Sequence, residues 1–477
     1  MQPEALAENA IRSAVQATGT HYQRELSTLI EHAARSPIGR ADAASILNLD
    51  ASGALVYRVL QAGVELGLFE RSGASRAARY GITAHLRRHL LSQYMQRPVT
   101  ERAAREYNHA WLDSYVPNES LLLSSAARSA LTGFTRSAKT SIGTLSPYAA
   151  HEFLIDISFA SSRLEQNRYT MAETRELVEN GAIAPGATAA ETQMVLNHVH
   201  AARYIVNQTI GLDHAAPHDK LDISTMTVRE LHALLSDRLL KRQDLCGTLR
   251  DHSVEISSST YTPPKSLFEI QPIFETICRK AAEIRDPYEQ SFFLLANLPY
   301  LQPFSDCNKR TARLAANVPL LRAGLPPISW LGVDEDTYIN AILSVYELQE
   351  TDALEDLFVD IVVSSGERLA TQIRTGPARQ RLQSQYEREI TECVRAHIRE
   401  SVPYQRIPTP TEMSPRDKLV FIAMVKSAVK DVLANPLMGV VHELRVRDIM
   451  NSHAYQAMCS EQSLAAMRSR ARQKPPG

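Results

Sequence analysis

Residues 302–313 read Gln302-Pro303-Phe304-Ser305-Asp306-Cys307-Asn308-Lys309-Arg310-Thr311-Ala312-Arg313, which crowds a carboxylate, two amides and three cations into one short stretch. An apolar helical run, Phe292 to Tyr300, precedes it, and a second, Leu314 to Leu321, follows. The stretch therefore reads as a loop joining two helices, with its cations at the start of the second. Free N–H groups at a helix N-terminus carry roughly half a positive charge and point outward, toward any anion placed there. Arg310 and Arg313, spaced three apart, share a helical face, and Lys309 adds another full charge. Asp306 offers the hard oxygen that Mg²⁺ takes while it bridges phosphates. These residue types in this order predict a cradle for a triphosphate and Mg²⁺.

The stretch resembles the signature of the Fic (Fido) family, His-Pro-Phe-x-Asp/Glu-Gly-Asn-Gly/Lys-Arg-x-x-Arg, which it follows in order and without a gap. The resemblance implies a protein that binds ATP with Mg²⁺ and moves AMP, or another phosphate-containing group, to a Ser, Thr or Tyr hydroxyl of a target protein. Carried over position by position, Asp306 would hold Mg²⁺, and Asn308 with neighbouring N–H groups the α- and β-phosphates. Lys309 and Arg310 would meet the β-phosphate and Arg313 the γ-phosphate. Two positions depart from the pattern. The family's first residue is the histidine that takes the proton of the target hydroxyl. Gln302 stands there, and an amide supplies none of the general-base help that is worth roughly 10²–10⁴-fold. Cys307 replaces the glycine. Lys309 is similar to the Doc branch, which transfers phosphate, while Arg313 argues against full Doc character. Two functions stay open on these residues: a transferase with an atypical site, or a catalytically silent, nucleotide-binding relative.

Upstream, Ala160-Ser161-Ser162-Arg163-Leu164-Glu165-Gln166-Asn167 resembles the family's inhibitory element, Ser/Thr-x-x-x-Glu-Gly/Asn, with Ser161 and Glu165 at its defined positions. Taken alone, Ser-x-x-x-Glu is common on any helix. With the signature downstream, the resemblance implies that a helix near residues 161–167 obstructs the nucleotide site. A carboxylate on Arg313 would compete with the γ-phosphate for one guanidinium fork. The alternation Ser253/Val254/Glu255/Ile256, followed by Tyr261-Thr262-Pro263-Pro264, predicts a short hairpin. It resembles the Fic flap, in which Val254 and Ile256 would hold a target segment by strand addition. His252, beside it, reads as an exposed loop histidine or, less simply, as a substitute base.

Nearer the start, residues 22–95 read helix, helix, helix, hairpin, similar to a winged helix-turn-helix. Six arginines (71, 76, 79, 87, 88 and 97) and no acidic residue lie between Arg71 and Thr100. A basic wing beside a third helix is what contact with the phosphates of double-stranded DNA requires. Arg58, Arg76 and Arg79 are the DNA-facing candidates, with Ser52, Tyr57, Arg58 and Gln61 at base edges. A wing used for protein contacts, with solvated arginines, is the other reading.

The expected fold class is mainly α: a Fic/Fido helical domain with a small β-hairpin flap, an N-terminal winged-helix (α+β) domain and a helical C-terminal region. The expected divisions are a lead at 1–21, the winged helix at 22–95, a helical connector at 96–155, the Fic core at 156–365 and a helical region with a disordered basic tail at 366–477. Tyr107, Trp111, Tyr115, Leu121 to Leu123 and Leu131 are expected to pack the connector on the core. Leu419, Ile422, Val425, Ala428, Val429 and Leu433 form an apolar stripe that packs on the core or on a second subunit, as in a homodimer. A net charge of −1 with 44% hydrophobic residues excludes a generally basic surface. Five cysteines, odd in number and without a Cys-x-x-Cys pair, indicate neither a disulfide framework nor a zinc site. No signal peptide and no run long enough to span a bilayer is evident, so the expected location is the cytoplasm.

Overall fold

The computed structural model describes residues 8–50, 54–138, 147–209, 221–256, 258–410, 412–434, 444–456 and 458. The chain is mainly helical, and its centre is the helix Pro287–Leu301. Asp286 caps that helix, its Oδ1 accepting from Tyr288 N (2.8 Å) and Glu289 N (3.1 Å), with Pro287 in the first turn. From Tyr288 to Leu301 every residue is buried, which is why the run reads apolar all round. Phe293, Leu294, Leu298 and Leu301 face one core, while Phe292, Leu295, Ala296 and Tyr300 face another. The signature emerges from the C-terminal end of this rigid rod.

The connector packs on the rod through its aromatic residues. Tyr107 stacks on Tyr300 at 4.8 Å, and Trp111 meets the same ring edge-on at 5.2 Å. Buried Glu289 accepts from Tyr115 Oη (3.0 Å), Leu122 N (2.6 Å) and Leu123 N (3.0 Å). Leu121 is exposed. The hairpin expected over 253–262 is absent among the described residues. Tyr261–Thr262 forms instead a parallel ladder with Arg105–Glu106 of the connector. The polar groups of 258–260 are drawn away from a hairpin: Arg102 Nη2 donates to Ser258 O (3.0 Å), and Ser259 Oγ (2.7 Å) and Thr260 N (3.3 Å) donate to Glu347. Val254 and Ile256 lie in irregular, half-buried chain.

Residues 23–33, 40–46 and 54–65 are three helices, and Phe69–Ser72 and Arg79–Ile82 pair antiparallel, with Ile38–Gly39 added to the second strand. The expected lead at 1–21 contains the helix Glu8–Gln16, whose Ile11 and Val15 are buried in the same core. Three of the six arginines of the basic stretch pair with carboxylates elsewhere in the chain. Arg79 pairs with Asp42 (2.6 Å), Arg87 with Glu350 (3.1 Å) and Asp352 (3.3 Å), and Arg88 with Asp356 (2.6 Å). Arg87 and Arg88 thereby fasten the helix Ala84–Met95 to the start of a long helix, Asp352–Gln385.

The boundary expected at 365/366 falls inside that long helix. Gly366 does not end it; a Cβ there would stand 2.2 Å from the ring of Phe134, so the glycine admits the helix Ser125–Ala138. Arg368, two residues on, grips buried Asp156 with both arms of its fork, Nε at 2.6 Å and Nη2 at 2.8 Å. Asp156 lies on the helix Pro147–Arg163, which Arg175 also holds by a bidentate pair to Glu152 (2.8 and 2.9 Å). Beyond, the helices Glu387–Glu400 and Pro415–Ala434 share a separate core that includes Ile398, Phe421, Val425 and Val429. Leu419, expected in the stripe, is 72% exposed, and Phe421 is buried in its stead. The basic tail, Ser52 and the side chain of Arg76 lie outside the described residues.

Removing Arg368 leaves the Asp156 carboxylate buried beside the neutral amide of Gln372. Arg368→Ala is expected to cost about 3 kcal/mol in a urea-unfolding experiment, since an uncompensated buried charge is the dominant penalty.

Candidate functional site

The rod ends when Gln302 takes a left-handed conformation (φ 52°), and the signature helix Asn308–Ala315 begins after Cys307 takes another (φ 60°). Left-handed backbone strains residues with a Cβ, which explains why glycine suits position 307. The loop between them is tied by one amide. Asn308 Oδ1 accepts from Phe304 N (2.9 Å), while its Nδ2 donates to Phe304 O (2.9 Å) and to Gln302 Oε1 (2.9 Å). Gln302 Nε2 donates in turn to Pro299 O (2.8 Å) and Tyr346 Oη (3.0 Å). Arg250 Nε donates to Gln302 O (2.6 Å), and Arg250 N to Pro303 O (3.0 Å). The Gln302 side chain is thus built into the loop at both ends.

Two histidines lie close in sequence or space to this loop. His232 is fully buried and stacks on Phe304 at 3.8 Å. Its Nδ1 accepts from Gly247 N (2.9 Å), which leaves Nε2 to donate to Asp306 O (3.2 Å). Burial pushes its pKa down to about 4, and both nitrogens are occupied, so it holds the loop as a neutral ring. His252 is exposed, and its carbonyl accepts from Arg250.

The cations lie along the first turns of the signature helix. Arg313 has no exposed surface; Nε donates to Ser161 Oγ (3.0 Å), and Nη2 to Ser161 O (3.0 Å) and Glu165 Oε1 (2.8 Å). Its guanidinium also lies 5.1 Å from the centre of the Tyr338 ring. Lys309 Nζ approaches the other Glu165 oxygen at 3.7 Å. Burial opposes the charge on Glu165, but Arg313, Lys309 and Arg310 outweigh it and hold the carboxyl below its usual range. Arg310 is buried, 3.5 Å from Asp306, and its Nε and Nη1 donors meet no acceptor among the described residues. Asp306 itself is mostly exposed, with Oδ1 2.5 Å from Cys307 N.

Every signature residue singled out from the sequence, and the distant pair Ser161 and Glu165, therefore meet in one place. Glu165 differs from expectation in one respect: it sits in the turn after the helix Pro147–Arg163, not on the helix. Gln166 follows in a left-handed conformation (φ 62°), the position at which the family pattern carries Gly or Asn. Val254, Ile256, Arg58 and Arg79 are not part of this cluster; Arg58 is exposed on the helix Ala54–Glu65. Sequence reasoning missed His198, which bonds both Ser161 and Ser162, and the contacts that Tyr338 and Tyr346 make with Arg313 and Gln302. The two tyrosines fit an apolar helical pattern, and nothing in the spacing of His198 marks it.

Residues 222–320 match the family model described as Fic/DOC family, and the chain therefore carries a Fic domain there. That segment includes the whole signature and Arg250, but not Ser161 or Glu165. Among curated proteins, protein adenylyltransferase fic-1 of Caenorhabditis elegans is 27% identical over 168 residues, 35% of this chain and 31% of that protein. Protein adenylyltransferase Fic of Nematostella vectensis is 29% identical over 172 residues, 36% of this chain and 38% of that protein. The matched segment spans about a third of these curated relatives. A solved structure of Fic-1 from C. elegans covers 76% of this chain and 98% of that one, at 16% identity and a TM-score of 0.44.

The depressed Glu165 carboxyl links the site to stability. Its folded pKa lies below the ordinary 4.5, so its stabilisation is complete above about pH 4.5 and is lost as pH falls through the folded value. Glu165→Gln should lower stability by about 2 kcal/mol at pH 7 without nucleotide, because Arg313 keeps its burial and loses its counter-charge. Thermal melts of the two proteins at stepped pH should show this difference shrinking below about pH 4.5.

Proposed function

We propose that the chain is an ATP-binding Fic protein whose site is held closed by Glu165 and whose capacity for AMP transfer is latent. The observation that carries this is Arg310, a buried guanidinium at the start of a helix whose Nε and Nη1 are unpartnered among the described residues, beside an Arg313 that is fully buried on a carboxylate. A phosphate chain supplies the missing acceptors, and its terminal phosphate is the natural substitute for Glu165 on Arg313. One exposed carboxylate, Asp306, with phosphate oxygens to complete the shell, suits Mg²⁺, which binds through one or two carboxylates and keeps water.

The names of the relatives, protein adenylyltransferases, supply the reaction class. In that reaction a target hydroxyl oxygen bonds to the α-phosphorus, the bond to the bridging oxygen breaks, and pyrophosphate leaves. Bound Mg²⁺ would neutralise charge on the phosphates. The hydroxyl proton needs an acceptor, and the Gln302 amide is none: its nitrogen donates to Pro299 and Tyr346, and its oxygen is bonded by Asn308. The missing base accounts for roughly 10²–10⁴-fold in rate.

The test uses ATP labelled on the α- or the γ-phosphate, with Mg²⁺ and cell lysate, on wild type, Glu165→Gly, and Glu165→Gly with Gln302→His. The expected result is nucleotide binding by both variants and strong labelling only by the third. Labelling by Glu165→Gly at a comparable rate would overturn the structural role given to Gln302, and γ-label in place of α-label would indicate phosphate transfer. Failure of all three to bind ATP would remove the nucleotide reading.

A second reading, a nucleotide-responsive DNA-binding regulator, draws on the exposed Tyr57 and Arg58 of the third helix beside an antiparallel hairpin on which Arg71 is exposed. With Arg79 tied to Asp42, Arg58 is the candidate phosphate contact. Arg58→Ala should then weaken binding to a random duplex and lower the salt slope by about one in a fluorescence-anisotropy titration.

A further inference from the structure

We propose that His198 is a positioning residue for this site: acting through Ser161, it fixes the Arg313 guanidinium for the terminal phosphate of a nucleoside triphosphate. The inference rests on the nucleotide reading given above. His198 lies on the helix Ala189–Thr209, outside the signature, and is 1% exposed. Its Nδ1 is 2.9 Å from Met194 O and 3.2 Å from Ser162 Oγ, and its Nε2 is 2.9 Å from Ser161 Oγ. A carbonyl only accepts, so the ring hydrogen belongs on Nδ1, and Nε2 presents a lone pair. Ser161 must then turn its O–H toward Nε2. Its oxygen lone pairs face the other way, where Arg313 Nε donates at 3.0 Å.

The relay leaves the guanidinium with a divided set of partners. Ser161 takes Nε through its hydroxyl and one Nη2 hydrogen through its carbonyl, while Glu165 takes Nη2 from the far side. A phosphate that displaces Glu165 thus meets an arginine already aimed. Burial and the charges of Arg310 and Arg313 push the His198 pKa down to about 3, so the ring stays neutral and the sense of the relay does not reverse near neutral pH. Without the ring, the buried Ser161 hydroxyl has no acceptor behind it, and it can turn its hydrogen toward the arginine it should receive.

ADP has no γ-phosphate and does not draw on this alignment, whereas a general loosening of the fold would weaken both nucleotides. The experiment is calorimetric titration of ATP and ADP, each with Mg²⁺, in a Glu165→Gly background, where the carboxylate no longer competes. Adding His198→Ala should weaken ATP by about tenfold, the size of one hydrogen bond to a charged group, and leave ADP unchanged. His198→Gln, whose amide can donate to Met194 and accept from Ser161, should restore the preference. Ser161→Ala should reproduce the loss, and it covers the case in which His198→Ala does not fold. An equal loss of both nucleotides, or an unmoved ATP-to-ADP ratio in Ser161→Ala, overturns the role of His198. Absence of binding by Glu165→Gly alone removes the nucleotide reading, and this inference with it.

Discussion

Arg313 carries a full charge with no exposed surface, and the protein must answer that charge from within. Among the described residues its neighbours are a hydroxyl, a carbonyl, an aromatic face and the carboxylate of Glu165. A buried guanidinium stripped of its counter-charge is costly, so whatever takes Glu165 away must bring negative charge in its place. This constraint is electrostatic and holds before any particular contact is considered. A ligand opens the site only to the extent that it binds Arg313 better than Glu165 does.

Much of the scaffold serves to hold the two halves of this pair. The signature helix grows from a rod that is buried on all sides, and it has little freedom to retreat. The helix that leads to Glu165 is fixed by Arg175 on Glu152 and by Arg368 on Asp156, while His198 holds the serines at its end. Arg368 belongs to the long helix whose first turns are gripped by Arg87 and Arg88. The N-terminal helices, the separate C-terminal core and the helix that leads to Glu165 are therefore joined through one element, Asp352–Gln385.

Gln302 shows how a position can keep its place in a motif and change its work. Its side chain bonds Asn308, Pro299 and Tyr346, which closes the loop around the same asparagine that the family pattern assigns to phosphates. The departure puts an amide where the family pattern has a histidine, while Arg310 and Arg313 keep their places on the buried face of the signature helix.

From the sequence alone came the loop between two helices, the cluster Asp306, Lys309, Arg310 and Arg313, and the link between Glu165 and Arg313. Local spacing and a contiguous motif suffice for the first two, and the third followed from a recognised pattern. Tertiary structure decided what depended on contacts across the chain. Strand pairing at Tyr261–Thr262 went to the connector because Glu347 and Arg102 claim the polar groups that a hairpin would have used. The arginines of residues 79–88 face carboxylates far off in sequence, so composition presented them as a free basic surface. Gly366 looks like an interruption until Phe134 is seen to occupy the space of its missing Cβ. His198 has no signature because its importance lies in a hydrogen bond accepted from Ser161, and one-dimensional spacing does not record which side chains a fold brings within about 3 Å of each other.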